Sequence, residues 1–160
     1  MTEEIGPEYG PEHVFRTQVV GAAVLDDAEN PTHFLAAQRA YPETLRGMWE
    51  FPGGKADPDD ASCEAALIRE CSEELDVQLR LLDEIPGPHA QGWPLKESSA
   101  MRVWTAVVTD GELMLGPQYD GADHLDLRWI PLHDDGAAAR DLEWIPADRP
   151  IVEALLARLR

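Results

Sequence analysis

Two rhythms of apolar residues run along the chain. TQVVGAAVL (17–25) is a short apolar run with a β-branched start, and HFLAAQR (33–39) resembles it after a DDAENPT turn. Together they predict a hairpin of buried strands. VQLRLLDEI (77–85), AMRVWTAVV (100–108) and the alternating LDLRWIPL (125–132) predict further strands, the first two separated by a polar loop containing Gly and Pro. The period changes in DDASCEAALIRECSEELD (59–76), where Leu67, Ile68, Cys71 and Leu75 share one helical face and Ser62 stands at the N-cap. A closing amphipathic stretch, ADRPIVEALLARLR (147–160), sets Ile151, Leu155, Leu156 and Leu159 at helical spacing, with Pro150 early, where its missing N–H costs little. The run from Ala137 to Ala139 suits a short helix, and Gly111 a turn.

Between these elements, residues 40 to 55 read as a loop rich in Pro and Gly, and residues 1 to 16 as a flexible arm before a single domain over 17–160. The order is strands, helix, strands, helix, without internal repeats. It predicts a mixed α/β sandwich, with helices on opposite faces of the sheet.

Composition narrows the class. The 160 residues carry 31 acids against 13 Lys and Arg, a formal charge of -18, with 44% hydrophobic residues. A chain of this length buries roughly two-thirds of its unfolded surface, and the apolar content argues against disorder. Cys63 and Cys71 fall in the predicted helix, where eight residues advance the axis by about 12 Å, too far for a disulfide. A reduced, cytoplasmic protein is expected. The chain has no run of 18 apolar residues and its first residues are acidic, so neither a membrane partner nor a secretory signal is expected. The negative charge disfavours a nucleic-acid polymer, whose binding relies on Lys and Arg, and leaves room for a small anionic ligand bridged by a divalent cation.

The acids are unevenly spread. Residues 57 to 76 hold Asp57, Asp59, Asp60, Glu64, Glu70, Glu73, Glu74 and Asp76 against one base, Arg69. On a helix, Glu70, Glu73 and Glu74 project from one side of adjacent turns, near a C-terminus whose dipole disfavours anions. A solvated acidic face and a cation site both answer to that description. Hard oxygen donors suit Mg2+, or Mn2+, rather than Zn2+. FPGGK (51–55), just before the helix, favours the cation site, because paired glycines let backbone N–H groups approach a phosphate while Lys55 adds charge.

GGKADPDDASCEAALIRECSEELDV (53–77) resembles the Nudix box, Gly-x5-Glu-x7-Arg-Glu-U-x-Glu-Glu-x-Gly-U with U apolar. AQR (37–39), RGMWEFPGGK (46–55) and EWIPADRPIVEAL (143–155) are similar to segments of the MutT-like branch. Gly54 matches the opening glycine, Arg69 and Glu70 the Arg-Glu pair, Cys71 the apolar position, and Glu73 and Glu74 the paired acids. Two features depart from the pattern. The interval from Gly54 to Arg69 is one residue longer, with Ala61 eight before Arg69 where a glutamate is usual; Asp60 or Asp59 substitutes if the extra residue bulges the loop. Asp76 takes the place of the box glycine, and Asp tolerates the left-handed conformation of a helix C-cap better than most residues.

The resemblance implies a Nudix fold and hydrolysis of a nucleoside diphosphate linked to another group, with 8-oxo-dGTP or a cytidine triphosphate leading. It implies Mg2+ held by Glu70, Glu73, Glu74, Asp123 and Gly54, with Glu70, Glu73 and Arg69 in catalysis. Asp123 follows from counting six residues back from Trp129 and is otherwise a solvated loop acid. For the nucleotide, the same comparison points to Arg39, Phe51, Lys55 and Asp148. Arg39 reads equally as a surface arginine, and Asp148 equally as the N-cap of the last helix. The five tryptophans are assigned to core and rim, and His89 and His124 are read as incidental. A Nudix hydrolase of a nucleotide sugar or dinucleotide competes with the triphosphate reading. So does a non-catalytic sensor, motivated by Ala61 and opposed by the intact glutamates. Oligomeric state is left open.

Overall fold

In the computed structural model, which describes residues 9–159, the sequence is laid out as two sheets flanked by helices. β1 (Thr17–Val24) pairs in parallel with β7 (Ser99–Asp110) on one edge and antiparallel with the short β4 (Gly53–Lys55) on the other. β5 (Gln78–Ile85) and β6 (Trp93–Lys96) join β7 antiparallel. The second sheet runs β3 (Trp49–Glu50), β2 (His33–Arg39), β9 (His124–Pro131) and β8 (Gly116–Pro117), all antiparallel. Among the described residues, no helix is long and apolar enough to cross a membrane.

The expected hairpin of β1 and β2 does not form. The two strands meet at a single antiparallel rung, Leu25 with Phe34, and then part into different sheets. Both edges of β1 are already occupied by β4 and β7, which leaves β2 to pair with β3 and β9 instead. Asp26 shapes the turn, accepting from the backbone N–H groups of Thr32 and His33. The span read as a loop over 40–55 contains β3 and β4, and the loop after β5 contains β6. Strands of two to four residues are too short to leave a periodic signal.

The continuous apolar character of β1 and β2 follows from burial on both faces. Val20, Ala22 and Val24 with Leu35 and Ala37 face one core, beneath α1 (Cys63–Leu75), while Ala23 with Phe34 and Ala36 faces the other. That second core is closed by α2 (His133–Asp141) and α3 (Arg149–Arg158). α1 begins at Cys63, directly after the expected cap, and Asp57 to Asp60 form their own turn before it. Ser62 caps it as expected, its Oγ accepting from the Ala65 N–H at 3.0 Å. Ala66, Leu67, Cys71 and Leu75 are buried, and Ile68 is half-buried at the edge of the face. α3 buries Ile151, Val152, Leu155 and Leu156, with Leu159 packed just beyond its end.

Residues 9–16, the described part of the expected arm, are held against the domain. Gln91 bonds both the N–H (2.9 Å) and the C=O (3.0 Å) of Phe15, and the rings of Tyr9, His13, Phe15 and His89 pack edge to face or tilted.

α1 ends on Asp76 in the left-handed conformation (φ 57°, ψ 39°), its N–H bonded to the Ser72 carbonyl. An L-residue is strained there, and its carboxylate adds to the negative end of the helix dipole. Asp76→Gly is therefore expected to stabilise the fold by about 0.5–1 kcal/mol, read as a higher urea midpoint with unchanged slope.

Candidate functional site

The C-terminal half of α1 lies against β4, and the contact is made by a carboxylate on a glycine. A side chain at Gly54 would place its Cβ 2.4 Å from the Glu70 carboxyl carbon, so only glycine lets Glu70 lie on the backbone of β4. At Gly53 a Cβ would fall 2.0 Å from the carbonyl oxygen of Val20, which explains the second glycine. The pair therefore brings strand and helix within carboxylate distance.

Arg69 fastens the same region. Its guanidinium donates through Nε and Nη2 to both oxygens of Asp60, each at 2.9 Å, and through Nη2 to the Lys55 carbonyl at 3.3 Å. Its Nη1 reaches Glu70 at 3.4 Å and Glu73 at 3.3 Å. The fork matches a carboxylate in shape as well as charge, and it holds the Asp60 carboxyl down at about 2. Of the two acids weighed against Ala61, Asp60 is the one that meets Arg69. The extra residue is absorbed in a closed turn, in which Asp60 N–H donates to the Asp57 carbonyl and Asp57 N–H to Asp60 Oδ2.

Glu74 faces inward from the next turn. Its Oε1 is buried without a hydrogen-bond partner, and desolvation pushes its carboxyl up to about 7, opposed by His124 and assisted by Glu70, Asp123 and Glu50. Burial also raises Glu70, with Arg69 pulling the other way. Asp123 precedes β9 and accepts a hydrogen bond from the Tyr41 hydroxyl at 3.0 Å. Glu73 is 60% exposed and lies at the rim, as does the exposed Lys55.

Three residues carry more than the sequence suggested. His124 is only 8% exposed, its Nε2 lying 3.7 Å from Glu50 Oε2. Burial opposes its charge, but Glu50, Glu74 and Asp123 outweigh that and raise its pKa. Glu50 also pairs with Arg39 at 3.1 Å, and Arg39 Nε donates to the Tyr41 carbonyl. Arg39 is thus built into the wall of the site. Its neighbour Tyr41 is the third residue. A histidine directly after Asp123 was the available signal for His124. Glu50 and Tyr41 gain their positions from tertiary contacts that no spacing reveals.

The sequence's nucleotide-binding candidates lie next to this cluster. Asp148 is 4% exposed and makes no side-chain cap to α3; its Oδ2 instead accepts from the Phe51 N–H at 3.3 Å. The capping alternative is therefore set aside. Burial, then Glu50, pushes the Asp148 carboxyl up to about 7, against the Phe51 N–H and Arg39. Phe51 is 3% exposed, its ring 5.4 Å from that of Trp144, so its ring supports the wall rather than offering a free face. Trp49, Trp104 and Trp144 are buried, and Trp93 and Trp129 are half-buried, in keeping with core and rim. A separate cleft between Leu25, Val107, Leu113 and Trp129 contains none of these groups.

Among the described residues, no three Asp, Glu, His or Cys side chains already close around a point as a metal shell. The donor chemistry nonetheless fits a hard divalent cation: a buried carboxylate oxygen without a partner on Glu74, Glu70 laid on the Gly54 backbone, and Asp123 near enough to Glu74 to act on its charge.

The NUDIX domain model matches residues 15–155. The chain belongs to the Nudix family. Within it, the relatives are MutT-like: the chain is 39% identical over 69 residues to the 8-oxo-dGTP diphosphatase of Proteus vulgaris, covering 41% of this chain and 59% of that protein. It is also 39% identical over 61 residues to the CTP pyrophosphohydrolase of Escherichia coli, covering 38% and 42% respectively. The matches thus span less than two-thirds of either relative. Among solved structures, the E. coli ORF135 protein superposes with a TM-score of 0.65 at 28% identity, covering 92% of this chain and 94% of that one. In Nudix terms, the box here keeps its Arg-Glu and paired acids on α1, and Asp60 meets its arginine from a turn one residue longer.

The state of Asp148 generates a pH prediction. Its folded pKa is raised from 3.8 to about 7, so between those values the folded protein keeps a proton that the unfolded chain releases, and stability falls as pH rises through that window. Asp148→Asn removes this loss. From about pH 5 to pH 8 the stability of the variant relative to wild type should rise by roughly 2 kcal/mol, measured by urea unfolding in EDTA.

Proposed function

We propose that this Nudix protein hydrolyses a nucleoside triphosphate, with 8-oxo-dGTP or CTP and dCTP leading, to the nucleoside monophosphate and pyrophosphate. Mg2+ is the proposed cofactor, with Mn2+ as the alternative ion. The observation that carries the reading is the buried, unpartnered Glu74 carboxylate beside Glu70 and Asp123, reached through a Gly-Gly-Lys strand. Such an acid cluster is stable with a cation and repulsive without one.

Water is the nucleophile: its oxygen forms a bond to one of the two phosphorus atoms of the α–β phosphoanhydride as that bond breaks, and the products are the monophosphate and pyrophosphate. When bound, the divalent ion neutralises phosphate oxygens and lowers the barrier to attack. Glu70, Glu73 and Glu74, with Asp123 and the Gly54 backbone, hold it. One of Glu70 and Glu73 takes up or orients the proton of the water. Arg69 positions those carboxylates through its fork on Asp60. Lys55, exposed at the end of β4, meets the phosphates. Asp148 reads the base edge; its Oδ2 is tied to the Phe51 N–H, so Phe51 serves by holding that carboxyl. Arg39 acts through Glu50 at the boundary between base and phosphates. The names of the two relatives support a triphosphate over a nucleotide sugar or dinucleotide. We place the protein in the cytoplasm, where the unpaired thiols of Cys63 and Cys71 remain reduced.

Pyrophosphate release from a panel of nucleoside triphosphates, 8-oxo-dGTP and nucleotide sugars tests the reading. Turnover should be greatest for 8-oxo-dGTP or a cytidine triphosphate and vanish in EDTA; no turnover of any member with Mg2+ or Mn2+ would turn the reading towards a nucleotide sensor. Glu74→Gln separates function from fold. It should lower kcat by roughly a hundredfold or more, while removal of a buried charge raises stability in EDTA by about 1 kcal/mol at pH 8. A variant that loses activity and stability together would assign Glu74 to the fold alone.

A further inference from the structure

Asp123 is the member of the proposed ligand set that does not sit on α1 or β4. It ends the connection between β8 and β9, so the fold must hold it by other means. Two hydrogen bonds from adjacent residues of the β2–β3 connection do so. The Ala40 N–H donates to the Asp123 carbonyl at 3.3 Å, and the Tyr41 hydroxyl donates to Asp123 Oδ1 at 3.0 Å. Tyr41 is itself fixed from behind, because its carbonyl accepts from Arg39 Nε at 2.9 Å while Arg39 Nη1 is paired with Glu50. The Tyr41 side chain, by contrast, is 57% exposed. A large aromatic left mostly in solvent gains little from burial, so its notable contact is the one made by its hydroxyl.

We propose that Tyr41 is a positioning residue for the metal site, holding Oδ1 of Asp123 so that Oδ2 is presented to the cation. The inference rests on the reading of Asp123 as a ligand. A carboxylate on a free loop loses rotamer freedom when it binds an ion, and a prior hydrogen bond to one of its oxygens removes part of that loss. The bond has a second effect. It ties the residues after β2, which Arg39 joins to Glu50 and the base-side wall, to the acid on the phosphate side.

The test is Mn2+ binding to the metal-stripped full chain by electron paramagnetic resonance, with wild type, Tyr41→Phe and Asp123→Asn compared. Tyr41→Phe keeps the ring and deletes only the hydroxyl. It should weaken Mn2+ binding about tenfold or more. Because the side chain is exposed, Tm in EDTA should stay within about 2 °C of wild type. The Mg2+ concentration for half-maximal turnover should rise in parallel, with kcat at saturating Mg2+ returning towards the wild-type value. If Asp123→Asn weakens binding and Tyr41→Phe does not, the role of Tyr41 is overturned and the site reading stands. If Asp123→Asn leaves binding unchanged, Asp123 is not a ligand and the proposal falls with that part of the reading. A large drop in Tm for Tyr41→Phe would make the residue structural and overturn the proposal too.

Discussion

The guanidinium of Arg69 is the tie on which the site depends. It binds the turn before α1 through Asp60, the end of β4 through the Lys55 carbonyl, and two glutamates of its own helix. Without it, three segments of unlike secondary structure would have to hold a run of carboxylates together against their own repulsion. A lysine cannot replace it, since a single ammonium has no planar fork to span both oxygens of Asp60. The turn between β4 and α1 is one residue longer than the family pattern, yet the pairing survives because the extra residue closes on itself through Asp57.

Around that tie, the distribution of charge is graded by depth. Glu73 lies towards solvent, and Asp60 is covered by the guanidinium of Arg69, which matches both. Glu74 and Asp148 lie deeper, and burial raises both. Between the two buried acids stand Glu50, His124 and Arg39, an alternating set that links the helix side of the site to the wall around Phe51. The window from residue 57 to 76 holds eight of the acids and one base, so -7 of the total -18 is concentrated there.

Much of this was legible in the sequence, and what was not has a common cause. The cap at Ser62, the left-handed end at Asp76 and the buried strands depend on residues within a few positions of one another, and local chemistry sets them. The glutamates of α1 were legible for the same reason. The parting of β1 from β2 was not, because it depends on β4 and β7 having filled the edges of β1. Glu50 sits in a strand of two residues, His124 has an ordinary polar neighbourhood in sequence, and Tyr41 meets Asp123 from 82 positions away. Asp148 read equally well as a cap until the fold brought the Phe51 N–H to it.

The strands at the centre have no spare face. With one row of side chains in the core under α1 and the alternate row in the core under α3, nearly every residue of β1 and β2 between Val20 and Ala37 that lies in a strand is fixed by packing. The Tyr41–Asp123 contact, by contrast, is made between the connections that leave β2 and enter β9, outside both packed rows. A volume change in either row of β1 or β2 is therefore felt in a core under α1 or under α3, whereas the connections carry side chains that answer to polar contacts instead of packing.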